Sequence, residues 1–340
     1  MKVDTLSSPT GESTLISLFK RRARSNAQTG LFHTEDGLAT AVVCRRDEEG
    51  PRLLQCSYTP VNDLQELPGL LQQVPAGPTI SVAEPDTFSL LLVETPEINA
   101  NEIKAAMRWR IKDLLSYHID DAVIDVFDIP GQKERGRPKQ MYVVAAKIST
   151  IQSHIDLLES NNIQLEVIDI PELALRNITT LLPESASGVA MLYFGEHEAY
   201  LVICREGVLY LTRSIKLGYR QLAQFMVEEP AVDDEFTIDA FQPLPEALTN
   251  VLEGVVLEIQ RSLDYCESHF ALPPVSGLVI APMPEEIPSL MSFMASNLGV
   301  PVRLLDINAV LEGEQVLDDE LQCRCLLAIG AALREEDKTL

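Results

Sequence analysis

Val189-Ala190-Met191-Leu192-Tyr193, then Ala199-Tyr200-Leu201-Val202-Ile203-Cys204, then Val208-Leu209-Tyr210-Leu211-Thr212-Arg213-Ser214-Ile215 are three β-prone runs in close succession, the last two separated by the turn dipeptide Glu206-Gly207. Short runs of β-branched and aromatic residues bounded by turn residues predict strands, so this stretch reads as a three-stranded meander. The same arrangement occurs nearer the N-terminus. Strands are predicted at about 29 to 33, 37 to 44 and 52 to 59, the first two joined around the hairpin dipeptide Asp36-Gly37. A helix-like segment at 62 to 74 and a strand at 79 to 83 follow the first meander. Behind the second come a helix at Gln221 to Val227, an acidic connection from Glu229 to Asp239, and a long helix from Glu246 to His269. A strand at Gly277 to Ala281, a helix near 286 to 297, a strand at Val300 to Leu305 and a last helix near 319 to 334 complete the pattern. Leu248, Leu252, Val255, Val256, Ile259, Leu263 and Cys266 form the apolar stripe of the long helix. A meander followed by alternating helices and strands, present twice, predicts two related three-layer α/β halves that face a cleft.

A differently built block, about 85 to 165, separates the halves. Ser89 to Val93 reads as a strand, and Val123 to Phe127 with Met141 to Lys147 as a hairpin joined by a polar connection from Pro130 to Pro138. The helix between them carries Ile103, Met107, Ile111, Leu114 and Leu115 on one face, with Asn99 and Glu102 spaced as a capping box. Ser149 to Ser160 closes the block as a second helix.

Composition narrows the function. Lys and Arg number 27 against 51 Asp and Glu, a net charge of −24, which disfavours nucleic acid as a partner. The cysteines at 44, 56, 204, 266, 323 and 325 sit mostly in apolar runs and read as reduced core thiols; Cys323-x-Cys325 lacks the second pair that a zinc site needs. No run approaches the eighteen or so apolar residues of a membrane span, and the start lacks a signal-peptide core, so a cytoplasmic location is expected. Between Ser13 and Thr34 there is no acid, and Leu15, Ile16, Leu18 and Phe19 precede Lys20, Arg21, Arg22 and Arg24. Residues 13–24 therefore read either as a weak membrane-surface contact or as a plain tail. The phosphate-loop, zinc-protease and serine-hydrolase signatures G-x-x-x-x-G-K-[ST], H-E-x-x-H and G-x-S-x-G are absent. Asn177-Ile178-Thr179 matches a glycosylation sequon that a cytoplasmic chain does not use.

Three segments carry a family resemblance. Ile103-Lys104-Ala105-Ala106-Met107-Arg108-Trp109-Arg110-Ile111-Lys112-Asp113-Leu114-Leu115 resembles a helix of the PilM family of type IV pilus assembly proteins. Val255-Val256-Leu257-Glu258-Ile259-Gln260-Arg261-Ser262-Leu263-Asp264-Tyr265-Cys266-Glu267 resembles its long second-half helix, and Ala328-Ile329-Gly330-Ala331-Ala332-Leu333-Arg334 its closing helix. The divergent start and loops look more like the branch that serves the mannose-sensitive haemagglutinin (MSHA) pilus, called MshI. The resemblance implies an α/β, actin-like fold of duplicated RNase H-like halves with an inserted 1C subdomain of the PilM/FtsA type. The layout it implies is a tail at 1–27, a first half (1A) from 28–84 and 166–185, the insert at 85–165, and a second half (2A/2B) from 186–340. It further implies a scaffold at the inner membrane that binds the cytoplasmic N-terminal segment of a PilN-like single-span partner, in a groove between the first half and the insert. The cytosolic pilus motor ATPase is a further expected partner.

In active members of the fold each meander's first turn offers backbone amides to phosphate and an Asp to the metal shell. Here the resemblance puts Phe32 and Tyr193 where those two Asp residues would fall. The pocket positions it identifies are Thr34, Gly37, Gly195, Glu258, Arg261 and Pro282. Glu35 and Glu196 would bring carboxylates to the phosphates, and the adenine loop reads Ala281-Pro282-Met283-Pro284 in place of Gly-Gly. The expectation is a degenerate site with no cofactor and no ATPase activity; the alternative is a nucleotide-switched ATPase with slow hydrolysis that binds Mg-ATP. Asp36 reads as a hairpin residue or, in the alternative, as the metal ligand one turn position later, and His33 and His197 as partly exposed turn residues or, in the same alternative, as phosphate contacts. For the partner, Arg108, Arg110 and Lys112 read as an exposed basic side of the inserted helix, either solvated or recognising a partner. Trp109 reads as a semi-buried packing residue or as part of the groove lining. A secretion-system platform protein is a third reading, disfavoured because such proteins carry their own span.

Overall fold

The computed structural model describes residues 27–46, 50–132, 138–227 and 244–335. Residues 13–24 and the acidic connection Glu229–Asp239 lie outside the described residues.

The first meander consists of β1 (Ala27–Thr34), β2 (Gly37–Arg46) and β3 (Gly50–Pro60), antiparallel in order. The helix expected over 62 to 74 is reduced to α1 (Leu67–Leu71) after a single 3-10 turn. Pro68 is the cause, because proline is tolerated only in a helix's first turn. Then β4 (Thr79–Val82) lies parallel to β1. The insert follows, with β5 (Phe88–Glu94), α2 (Ala100–Ile111), β6 (Ala122–Asp128), β7 (Gln140–Lys147) and α3 (Ile148–Ser160). The chain returns through β8 (Leu165–Asp169), parallel to β4, and α4 (Pro171–Thr179). No helix was expected at α4, although Pro171 at its first turn is a start signal.

The second half repeats the plan with β9 (Val189–Phe194), β10 (Ala199–Arg205), β11 (Val208–Ile215), α5 (Tyr219–Val227), α6 (Glu246–Phe270), β12 (Leu278–Ile280), α7 (Leu290–Leu298) and β13 (Val302–Leu304). α7 begins later than the sequence suggests, because Pro288 and a left-handed Ser289 hold the chain out of the helix. Last come α8 (Ile307–Val310), β14 (Glu312–Gly313) and α9 (Asp319–Ala332). Among the described residues the strand orders are β14-β3-β2-β1-β4-β8 and β11-β10-β9-β12-β13. Apart from the added edge strand β14, the two sheets have one topology: a meander whose first strand pairs in parallel with the later ones. Even the irregularity recurs, with a bulge between the second and third strands of each meander, at Val42/Val43 and at Ile203/Cys204. This is the duplicated actin-like fold.

The chain's last elements return to the first half, β14 pairing with β3 and α9 packing on the first sheet, so the second half ends before them and not at residue 340. A Cβ at Gly30 would come within 1.8 Å of the Ala328 carbonyl oxygen, and one at Gly330 within 2.3 Å of that of Ala174, so α9 lies directly on β1 and α4. Asn177 Nδ2 donates to the Gly330 carbonyl at 2.9 Å, which gives the sequon a structural use. Arg334 Nη1 meets the fully buried Asp169 at 3.0 Å.

The insert is a three-stranded sheet, β5-β7-β6, covered on one face by α2 through Met107 and Ile111 against Met141, Val143 and Ala145. Its other face splits between the halves. Tyr142, Phe127, Leu90 and Leu92 join the large core that runs through both halves, with Tyr142 bonded to the second half at Tyr210 and Thr212, whereas Ala146, Val123 and Phe88 pack with Ile151 and Ile155 of α3. Two details differ from the sequence reading. The Asn99 side chain forms no cap bond, the Glu102 amide donating instead to the Asn99 backbone carbonyl at 2.9 Å. Leu114 lies beyond the end of α2 and is exposed, not on its core face. Among the described residues no helix is long and apolar enough to cross a membrane.

Candidate functional site

Two places collect the residues singled out by sequence: the cleft between the meander turns, and a groove on the insert.

In the cleft the β1–β2 turn meets the β9–β10 turn through Arg220, at the start of α5. One guanidinium nitrogen, Nη2, lies 3.0 and 2.9 Å from the two carboxylate oxygens of Asp36 and 2.8 Å from Glu196 Oε2. Arg324 of α9 approaches the other Glu196 oxygen at 3.3 Å, and its guanidinium lies over the Tyr58 ring at 5.2 Å. Tyr58 in turn donates its hydroxyl to the Asp36 carbonyl at 3.0 Å. Gly37 is required here, since a Cβ would sit 2.4 Å from the Tyr58 hydroxyl oxygen. A hydrogen bond with Glu196, aided by Arg220, holds the Asp36 carboxyl below its usual range, while burial and the Asp36 charge push Glu196 up. Asp36 is therefore more than a hairpin residue.

The backbone groups nearby are also engaged. The Tyr219 and Arg220 amides, at the N-terminus of α5, donate to the Gly195 and Glu196 carbonyls at 2.8 and 3.2 Å. The Asp36 amide donates to Thr34 Oγ1 at 3.3 Å, and that of Gly195 to the Glu198 carbonyl at 3.0 Å. Burial pushes the Tyr193 phenol well up, and Pro282 is buried directly after β12. Glu35 and His197 are exposed at the turns. Glu258 and Arg261, expected in the pocket, pair with one another at 2.9 Å along α6.

His33 is not a turn residue. It is buried in β1, flanked by β2 and β4, with Nδ1 3.2 Å from Glu84 and its ring stacked on His154 of α3 at 5.3 Å. His154 Nε2 is 2.9 Å from the Ser81 hydroxyl, and burial, reinforced by His33, lowers its pKa to about 4. This cluster, which sequence reasoning missed, lies where the chain leaves and re-enters the first half around the insert. Among the described residues no group of three or more His, Cys, Asp or Glu side chains is arranged to hold a metal, and the six cysteines are free thiols.

The groove, about 360 Å³, is lined by Lys104, Ala105 and Arg108 of α2, Ala122, Val123 and Ile124 of β6, and Ile148 at the start of α3. β6 is an edge strand, and two side chains cover parts of its rim. Arg108 Nη1 donates to the Ala122 carbonyl at 3.0 Å, and Asp125 Oδ1 accepts from the Val126 amide at 3.0 Å while pairing with Lys104 at 2.7 Å. By strand alternation, Ile124 between them turns its amide to the same rim.

The four residues expected to meet a partner are thus divided. Arg108 is partly buried and, through a further bond to the Ile119 carbonyl at 2.6 Å, straps α2 to the insert, which corrects the reading of it as solvated. Arg110 is exposed and donates to the Glu94 carbonyl at 2.7 Å. Trp109 is 73% exposed, neither semi-buried nor part of the groove lining, with the Lys112 ammonium 5.8 Å from its ring centre.

Comparison with known proteins agrees with this architecture. The family model of type IV pilus assembly protein PilM matches residues 77–336. No curated protein sequence matches the chain. Among solved structures, a PilM-PilN type IV pilus biogenesis complex superposes with a TM-score of 0.66 at 16% identity, covering 90% of this chain and 98% of that one. The cytoplasmic domain of EpsL, an inner membrane component of the type II secretion system of Vibrio cholerae, gives 0.49 at 10% identity over 92% and 97%. MreB 5 of Spiroplasma citri bound to AMPPNP gives 0.42 at 8% over 89% and 95%.

Proposed function

Because the chain belongs to the family of type IV pilus assembly protein PilM, we propose that it is a non-enzymatic scaffold on the cytoplasmic side of the inner membrane, in a pilus machine of the MSHA type. Its groove receives the cytoplasmic N-terminal segment of a PilN-like single-span protein, and its body connects that platform to the cytosolic motor. The observation that carries this reading is the β6 rim at Ile124, between the covered Ala122 and Val126, beside a mostly apolar groove that α2, β6 and the start of α3 enclose within the insert. An extended tail adds there as a further strand, pairing with the Ile124 backbone and placing side chains against Ala105, Val123 and Ile148. Titration with synthetic tail peptides tests it. Ala105→Trp, which fills the groove from the solvent side of α2, abolishes binding while the fold is retained. Equal binding to wild type and variant would refute the placement.

The cleft does not fit Mg-ATP in this reading. The amides at the start of α5 are taken by carbonyls, and Asp36 and Glu196 are held by Arg220 instead of facing a hydrated cation. Arg220 thus stands as an internal cation between the two turns.

A further inference from the structure

Trp109, the only tryptophan in the chain, is 73% exposed, and Leu114 just beyond the end of α2 is 60% exposed. Neither belongs to a core cluster or lines the groove. Between Glu102 and the exposed Asp113 that adjoins Leu114, Ile103 to Lys112 contains four cations and no acid, in a chain of net charge −24. Arg108 is spent on the insert and Lys104 pairs with Asp125, but Arg110 is exposed and donates to the Glu94 carbonyl, and Lys112 rests beside the indole. An exposed indole, a leucine and two outward cations form the side-chain set that settles at a lipid headgroup boundary. The ring occupies the interface, the leucine enters the acyl margin, and the cations meet anionic headgroups.

We propose that the C-terminal end of α2 and the turn after it, with Trp109, Arg110, Lys112 and Leu114, dock on an anionic membrane surface. Charge sets the orientation: the acidic remainder of the protein is repelled by such a surface, so the insert turns toward it. The groove opens along the β6 flank of the same helix. A tail leaving the bilayer would therefore meet it within about one helix diameter of the membrane contact; this last link alone rests on the proposed function.

The single tryptophan makes the test direct. Full-length protein is mixed with vesicles of phosphatidylglycerol and phosphatidylethanolamine, or of phosphatidylcholine alone, while Trp109 emission is followed, with brominated lipid as a depth-sensitive quencher. Anionic vesicles shift the emission to the blue and brominated lipid quenches it, whereas phosphatidylcholine vesicles do neither. Lys112→Glu weakens vesicle affinity about 30-fold, one attraction lost and one repulsion gained, and high salt suppresses the signal. Vesicle binding that leaves Trp109 emission unchanged would place the contact elsewhere, such as residues 13–24, and overturn the proposal. So would an emission shift caused by an acidic protein or a tail peptide but not by vesicles. Tail binding is read separately by titration of Ala105→Trp, so the two proposals fail independently.

Discussion

Arg220→Ala removes a cationic side chain that touches both meander turns, Asp36 and Glu196 also bonding to one another. Its contacts to Asp36 and Glu196 lie at 2.8 to 3.0 Å, but the three side chains are 48%, 33% and 32% exposed. Unscreened Coulomb attraction at such a distance is about 1.4 kcal/mol per contact in water, and exposed pairs retain a few tenths to 1 kcal/mol once side-chain ordering is subtracted. Two such contacts give a loss of about 0.5 to 2 kcal/mol, with Arg324 left to neutralise Glu196 alone. Urea unfolding of wild type and variant measures this. Because the attraction is partly solvent-screened, the difference should shrink between low salt and 1 M NaCl. In a double-mutant cycle Asp36→Asn should cost less in the Arg220→Ala background than in wild type. A variant as stable as wild type at low salt, or a loss indifferent to salt, would show that the bridge between the turns contributes nothing to holding the halves together.

Calorimetric titration with millimolar Mg-ATP should show no saturable binding; a saturable isotherm would mean the cleft rearranges to accept triphosphate and would favour the nucleotide-switched reading. His154 binds its proton more weakly folded than unfolded, so stability should fall as pH drops from about 6.5 toward 4 and level off below, by up to roughly 3 kcal/mol; His154→Gln should flatten that slope in acid unfolding curves. Gly30→Ala should destabilise by 2 kcal/mol or more, near the upper end of the roughly 1–3 kcal/mol typical of overpacked sites, because its methyl group would meet rigid helix backbone at Ala328 rather than a side chain that can turn away. Thermal unfolding checks it, and a variant as stable as wild type would show α9 free to shift.

The duplicated halves were legible because each strand is a local run and each meander a local repeat; no long-range information is needed to see Val189–Cys204 echo 29–44. The insert was legible for the same reason, its helix announced by Met107 and Ile111 at four-residue spacing. Trp109 could have been placed from that spacing too. It is two positions from each of those residues, roughly 200° around the helix, which puts it opposite the core face. Arg220 had no local signal: it meets Asp36 across 184 residues of chain. The exposure of His33 was misjudged because the turn at Glu35–Asp36 suggested solvent, whereas β4 and α3 come from far along the chain to bury it. Arg108 looked like one more surface cation until Ala122 and Ile119 supplied its acceptors.

The same long-range contacts tie the groove to the cleft. β7 is the middle strand of the insert, and its residues alternate between faces. Met141, Val143 and Ala145 support α2, which walls the groove, while Tyr142 between them reaches the second half. The Tyr142 hydroxyl accepts from the Thr212 amide at 3.1 Å, and Tyr265 of α6 donates to Gln140 at 3.0 Å. Ile148, the opposite wall, starts α3, which packs on the first half through Ile151, Ile155 and Ile168. One wall is thus fastened to the second half and the other to the first. If the two turns held by Arg220 separate, the Tyr142 contacts must break or the groove must change width, since β7 and α3 are consecutive in the chain and cannot both follow.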